Sequence, residues 1–178
     1  MPRLFTGIEI PPEIALALSG FRGGIPGARW VEPENYHITL RFIGDIDERM
    51  ADDVTSILGE RRQRAPLSIT IDGLDSFGGS KPRAVFARTA VNGELSELQG
   101  EQERLLRQAG LPPETRKFTP HITLARLKQV SPVDVAHYIA THGHFPKLTF
   151  TADRFVLYSS RASMGGGPYI VEAAYPLS

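Results

Sequence analysis

The chain has 178 residues, 41% hydrophobic content, no cysteine, and acidic and basic side chains in equal number. That composition fits an ordinary soluble globular fold, and it excludes disulfides, thiol nucleophiles and cysteine-held metals. It also argues against tight, purely charge-driven binding to long nucleic acid.

No apolar run approaches the ~18 residues of a membrane span, and "MPRLFTGIEI" lacks the apolar core of a secretory signal. The expectation is a cytoplasmic protein with one domain over residues 1–178. Sixteen of the twenty basic residues are Arg. The guanidinium fork matches phosphate oxygens two at a time, but Arg serves surface ion pairs equally well, so position has to decide between the two.

In chain order, "RLFTGIEI" (Arg3 to Ile10) reads as a strand, and Pro11-Pro12 opens a helix to about Gly20. "ARWVEPENYHITLRFIG" gives a short strand ending at Val31, a turn over Glu32 to Asn35, and a second strand. Asp45 or Asp47 caps the next helix, which carries Met50, Val54, Ile57 and Leu58 at helical spacing. "LSITIDGLDSF" and "AVFARTAV" are strands joined by the turn-rich "GGSKPR".

A helix from about Glu94 to Gln108 follows, ended by Gly110. Then come the strand "HITLARL", a short helix capped by Ser131 with Pro132 at its first position, and the strands "KLTFTADRFVLYSS" and "YIVEAAYPL". His-Ile-Thr-Leu occurs twice, and 84 residues separate His37 from His121. Each copy lies between two helices. The pattern is an internal duplication: an α+β chain with two sheet-bearing lobes around a shared groove.

Side chains alternate across a strand. Ile38, Leu40 and Phe42 fall on one face of the first copy, and His37, Thr39 and Arg41 on the other. In the second copy Ile122 and Leu124 form the core pair, with His121 and Thr123 opposite. Phe42 is therefore expected in the core, and so is Trp30, which a strand tends to bury. Two imidazoles suit a base and an acid at neutral pH, and two threonine hydroxyls suit donors to a phosphoryl oxygen. Arg41, on the face of His37, could add charge near a phosphate.

On these residues the chain resembles the 2H phosphoesterase superfamily, named for two His-x-Thr/Ser motifs. More narrowly it is similar to the RNA 2′,3′-cyclic phosphodiesterases, or bacterial 2′-5′ RNA ligases. The resemblance covers "RLFTGIEIPPE", "RWVEPENYHITLRFIG", "FTPHITLAR" and "FVLYSSR…GGGPYIVEAAYPL". One departure is "AVFARTAV": Phe86 and Ala87 stand at the family's tryptophan and alanine places, and Arg88 at its glycine place.

The resemblance implies a LigT-like bilobal fold, with two pseudo-symmetric, antiparallel-rich sheets flanked by helices around a central cleft. It implies hydrolysis of an RNA-terminal 2′,3′-cyclic phosphate to a 2′-phosphomonoester, with reversible 2′-5′ RNA ligation as a side activity. His37 would be proton donor and His121 proton acceptor, with Thr39 and Thr123 on the non-bridging oxygens, and no metal or cofactor is called for. The partners expected are RNA 3′ ends or short oligonucleotides, with no membrane and no obligate protein partner, for a monomeric chain.

Two alternatives stay open: a small nucleotide substrate such as ADP-ribose cyclic phosphate, and a non-catalytic RNA-binding module. Arg126 matches the family motif, yet strict alternation places it with Ile122 and Leu124. It either pairs with an acid at the strand edge or is re-aimed by a bulge. "TRKF" (Thr115 to Phe118) and "SKPR" (Ser80 to Arg83) are candidate backbone-phosphate contacts or plain solvated loops. His137, His142 and His144 read as an exposed helix end rather than a metal site. "MGGGP" (Met164 to Pro168) reads as a turn that lacks the Lys-Ser/Thr of a phosphate loop.

Overall fold

The computed structural model describes residues 3–160 and 168–177; most of "MGGGP" lies outside them. Four α-helices and nine strands occur among the described residues. The strands are β1 (Arg3–Glu9), β2 (Arg29–Trp30), β3 (His37–Asp45), β4 (Leu67–Phe77), β5 (Ala84–Thr89), β6 (His121–Arg126), β7 (Leu148–Ala152), β8 (Arg154–Ser160) and β9 (Tyr169–Pro176). The helices are α1 (Pro12–Ser19), α2 (Glu48–Leu58), α3 (Gly93–Gln108) and α4 (Pro132–Thr141). No helix among the described residues is long and apolar enough to cross a membrane.

Helix starts follow local chemistry. The side chains of Asp47, Asn92 and Ser131 accept from the backbone amides of Met50, Leu95 and Val133, satisfying donors that the first turn leaves free. Of the two aspartates proposed for α2, Asp47 is the cap. Past α3, Gly110 takes φ +106°, a left-handed conformation that glycine adopts without a Cβ clash.

The α+β architecture is as expected, and every strand pairing is antiparallel. The two lobes are halves of one sheet in the order β7-β4-β5-β6-β3-β1-β8-β9, with β2 added on β6. They meet where β3 pairs β6 at a single register position, Ile38 opposite Ile122. A pseudo-twofold through that pair exchanges β3 with β6, β1 with β5 and β8 with β4. Each repeat sends its last strand into the other half, because β4 pairs β5 and β8 pairs β1. The halves are interleaved rather than strung along the chain.

The helices pack on one face of the sheet, α3 against β3 and α4 against β4, with α2 alongside α3. Ile38, Leu40, Ile122 and Leu124 are buried beneath them. Each such side chain contributes about 1.5–3 kcal/mol relative to exposure. Trp30 turns to the helix side and is half-buried against the core, its ring 5.7 Å from that of Tyr138. The opposite face of the sheet is left open for His37, Thr39, His121 and Thr123.

Candidate active site

The pairing at Ile38 and Ile122 builds the site. In antiparallel strands the neighbours of a paired residue also lie across from each other. His37 therefore sits by Thr123, and His121 by Thr39, on the open face. All four side chains are half-buried.

Both motifs carry the same irregularity. Opposite β1, Gly7 pairs Thr39 and Thr6 pairs Arg41, which leaves Leu40 unpaired. Opposite β5, Phe86 pairs Thr123 and Val85 pairs Ala125, which leaves Leu124 unpaired. A bulge inserts one extra residue and so reverses the alternation beyond it. Two expectations change in consequence.

Arg41 does not share the face of His37. It lies on the helix side, 6% exposed, where its Nε and Nη2 donate to the Glu103 carboxylate at 2.9 and 3.3 Å. Its remaining N–H groups donate to the Phe42 carbonyl at 2.7 Å and the Pro112 carbonyl at 2.6 Å. A phosphate contact by Arg41 is overturned by that burial. Phe42, expected in the core, is instead 42% exposed on the cleft side. For Arg126 the bulge alternative holds: it returns to the face of His121 and Thr123, facing Phe42 across the cleft.

A pocket of about 150 Å³ opens on the His37 side, lined by Arg3, Phe5, His37, Thr39, Phe42, Ser160 and Tyr169, with Arg126 as the contribution of the other half. His37 Nδ1 is 2.9 Å from the Asn35 carbonyl, so it carries the proton and donates. That leaves Nε2 as acceptor for the Thr39 hydroxyl at 2.9 Å. His121 repeats the arrangement, with Nδ1 donating to the Thr119 carbonyl at 2.6 Å. The same ring nitrogen is therefore aimed into the cleft twice.

Burial holds both rings below the usual imidazole range. His37 is brought down to about 4, by desolvation first and then by the positive charge of Arg126 and the neighbouring His121, against the Asn35 hydrogen bond. His121 is lowered by desolvation and by Arg126, against the Thr119 hydrogen bond. In the free protein near neutral pH both imidazoles are neutral.

Rings enclose each histidine. His37 lies 5.0 Å from Phe5, 5.6 Å from Tyr158 and 4.9 Å from Tyr169. His121 lies 4.9 Å from Phe77 and 5.1 Å from Phe86, which stack on each other at 4.2 Å. Gly7 completes the floor beside His37, since a Cβ there would meet the Ile38 carbonyl at 2.8 Å and the Tyr158 ring at 3.1 Å. Sequence reading singled out Phe86 only as a family departure and missed Phe5, Phe77, Tyr158 and Tyr169. Their signal is cross-strand register, which no single segment displays.

Arg88, at the family's glycine place, pairs directly with His121 across β5 and β6 and is held by Asp72 at 3.0 Å. In "TRKF", Arg116 pairs with the nearby Glu114 rather than reaching the cleft. Of the three downstream histidines, His137 and His144 are exposed, while His142 packs against Phe21 and Tyr138. No group of three or more metal-ligating side chains occurs among the described residues.

Known proteins carry the same plan. Residues 10–163 match the model of the 2′-5′ RNA ligase superfamily. A Bacillus subtilis protein named RNA 2′,3′-cyclic phosphodiesterase is 32% identical over 88% of this chain and 87% of its own. One of the same name from Aeropyrum pernix is 40% identical over 59% of this chain and 60% of its own. Among solved structures, TT0787 of Thermus thermophilus aligns with a TM-score of 0.81 at 25% identity, covering 98% of this chain and 97% of its own. Escherichia coli LigT with 3′-AMP aligns with a TM-score of 0.79 at 24% identity, covering 100% and 99%, and speaks for the fold. With the paired His-x-Thr strands and this match over most of its length, the chain belongs to the 2′-5′ RNA ligase superfamily.

Proposed function

We propose that the protein hydrolyses RNA ends carrying a 2′,3′-cyclic phosphate to 2′-phosphomonoesters, with His37 and His121 as a general acid–base pair. The observation that carries this reading is the Ile38–Ile122 pairing, which sets two His-x-Thr pairs side by side on one open face. The names of the relatives supply the substrate class.

A water oxygen attacks phosphorus while the bond from phosphorus to the ribose 3′ oxygen breaks. His121 Nε2 takes the water's proton, and protonated His37 delivers one to the leaving 3′ oxygen, each transfer contributing roughly 10²–10⁴ in rate. The Thr39 and Thr123 hydroxyls and the Arg126 guanidinium hold the non-bridging oxygens and the charge that develops on them. His37 is neutral in the free protein, so the bound phosphodiester anion supplies the negative charge that favours its protonated form. After turnover the two rings have exchanged protonation states, and solvent restores them. A 5′-hydroxyl in place of water gives 2′-5′ ligation through the same steps.

The test is incubation of an oligoribonucleotide ending in 2′,3′-cyclic phosphate with the protein in excess EDTA. The expected product is heavier by one water and loses its phosphate to a phosphomonoesterase. No conversion, or full activity in His37→Ala or His121→Ala, refutes the proposal.

A further inference from the structure

The level of the sheet just beyond the two bulges differs between the halves. On the His37 side the cross-strand row is Tyr158, Phe5 and Phe42, from β8 through β1 to β3. Phe5 and Tyr158 stack at 5.0 Å, so aromatic rings fill that row. The equivalent row on the His121 side runs Phe77, Ala84, Arg126 and Arg29, from β4 through β5 and β6 to β2.

Ala84 puts a methyl group in the row where its counterpart Phe5 puts a ring. The exposed Arg83 side chain reaches over the Phe77 ring, its guanidinium carbon 5.5 Å from the centroid. Arg126 pairs with Ala84 across the strands, Arg83 precedes Ala84 in the chain, and Arg29 adjoins Arg126.

Arg29 lies directly opposite Arg126 in the β2–β6 register. Like charges placed opposite each other across strands are destabilising. Among the described residues, neither of these two nor Arg83 forms an ion pair with a carboxylate. Elsewhere the chain matches its cleft-facing arginines with acids, as in Arg88 with Asp72 and Arg3 with Asp45. Three guanidinium groups without a carboxylate partner, gathered at one end of this row, fit an anion that the protein itself does not supply.

We propose that Arg29, Arg83 and Arg126 form a second phosphate seat, which holds the backbone phosphate next to the terminal nucleotide. The inference rests on the cyclic phosphodiesterase reading and narrows its substrate class to chains of at least two nucleotides. Arg126 borders both the reaction pocket and the seat, so it joins the two phosphates of one ligand. A mononucleoside cyclic phosphate or a compact small nucleotide fills only the first.

The experiment compares kcat/KM on a trinucleotide ending in 2′,3′-cyclic phosphate with kcat/KM on the matching mononucleoside cyclic phosphate. Wild type favours the trinucleotide, and Arg29→Gln and Arg83→Gln each reduce that ratio about tenfold, the worth of one charge-assisted hydrogen bond. The trinucleotide's dependence on log salt flattens by about 0.7 for each phosphate contact removed. Arg104→Gln, on the exposed side of α3, controls for net charge and keeps the wild-type ratio. An unchanged ratio in both Arg29→Gln and Arg83→Gln, or an equal drop in Arg104→Gln, overturns the proposal.

Binding of the trinucleotide 2′-phosphate product, read by fluorescence anisotropy, tests the seat without turnover. Weaker binding in Arg29→Gln and Arg83→Gln supports the seat, and unchanged binding in both overturns it. Wild-type inactivity toward both cyclic phosphates refutes the phosphodiesterase reading, while the binding measurement still decides on the seat.

Discussion

The two halves of the sheet present the same motif in the same bulged conformation and then diverge at its last two positions. In the first half the bulge buries Arg41 and exposes Phe42, whereas in the second it buries Ala125 and exposes Arg126. Equivalent positions of the two strands thus bring an aromatic ring, Phe42, and a guanidinium, Arg126, to the same pocket. Symmetry supplies a pair of imidazoles on one open face, and the two residues after each His-Ile-Thr-Leu make its two halves unlike.

The buried partners differ as sharply. Ala125 needs nothing beyond packing, but Arg41 must be paired. Burial pushes the Glu103 carboxyl up, and hydrogen bonds from Arg41 and the Glu114 amide outweigh that effect, so Glu103 is held below the usual carboxylate range. Arg41 thereby ties the bulge of β3 to α3 and to the segment that starts at Pro112 and leads to His121.

The largest effect that would break the comparison is loss of either imidazole. His37→Ala and His121→Ala should each lower kcat by roughly 10²–10⁴. The double variant should fall well short of the product of the two, because the groups act as a unit. Next comes Arg41→Met, which strands the Glu103 carboxylate and should cost about 3 kcal/mol of stability, read as a lower denaturation midpoint. An unchanged midpoint would mean that the clamp does not hold the bulge.

Thr39→Val and Thr123→Val should each reduce kcat about 10–100-fold, the worth of a hydrogen bond to a charged group. A large difference between them would show that the pseudo-twofold does not extend to the phosphoryl oxygens. Smallest is Arg88→Gln, whose charge Asp72 already offsets at the surface. Its kcat/KM should stay within about threefold of wild type.

Much of this plan was legible in the residues alone. The caps of α2 and α4, the glycine after α3 and the polar faces of the two His-x-Thr pairs follow from local rules, with Asp47 taking the place offered to Asp45 or Asp47 and Asn92 capping α3 unannounced. Alternation failed from Leu40 and from Leu124 onward. A bulge is a property of two strands in register, and a single strand's sequence does not record which residue its neighbour skips. Arg126 carried the one available hint, since its match to the family motif conflicted with its parity. Applied to the first motif, the same reasoning would have moved Arg41 inward and Phe42 outward. The merging of two sheets into one depends on the single Ile38–Ile122 contact, which periodicity cannot reveal.

The central claim is that two imidazoles, both held neutral by burial, divide the acid and base roles. The pH dependence of kcat/KM reports the free protein, and a phosphodiester keeps its single charge across the range. A bell arises because activity needs one ring protonated and the other neutral, and its two limbs belong to the pair rather than to either ring. Because His37 lies near 4 and His121 below its ordinary value, both limbs should fall on the acid side of the usual imidazole range. The profile of kcat should sit at higher pH, since the bound phosphate anion raises both rings. A bell in kcat/KM centred between about 4 and 6.5 is the predicted result. A flat profile from mildly acidic to mildly alkaline pH, or a single limb, would contradict the account.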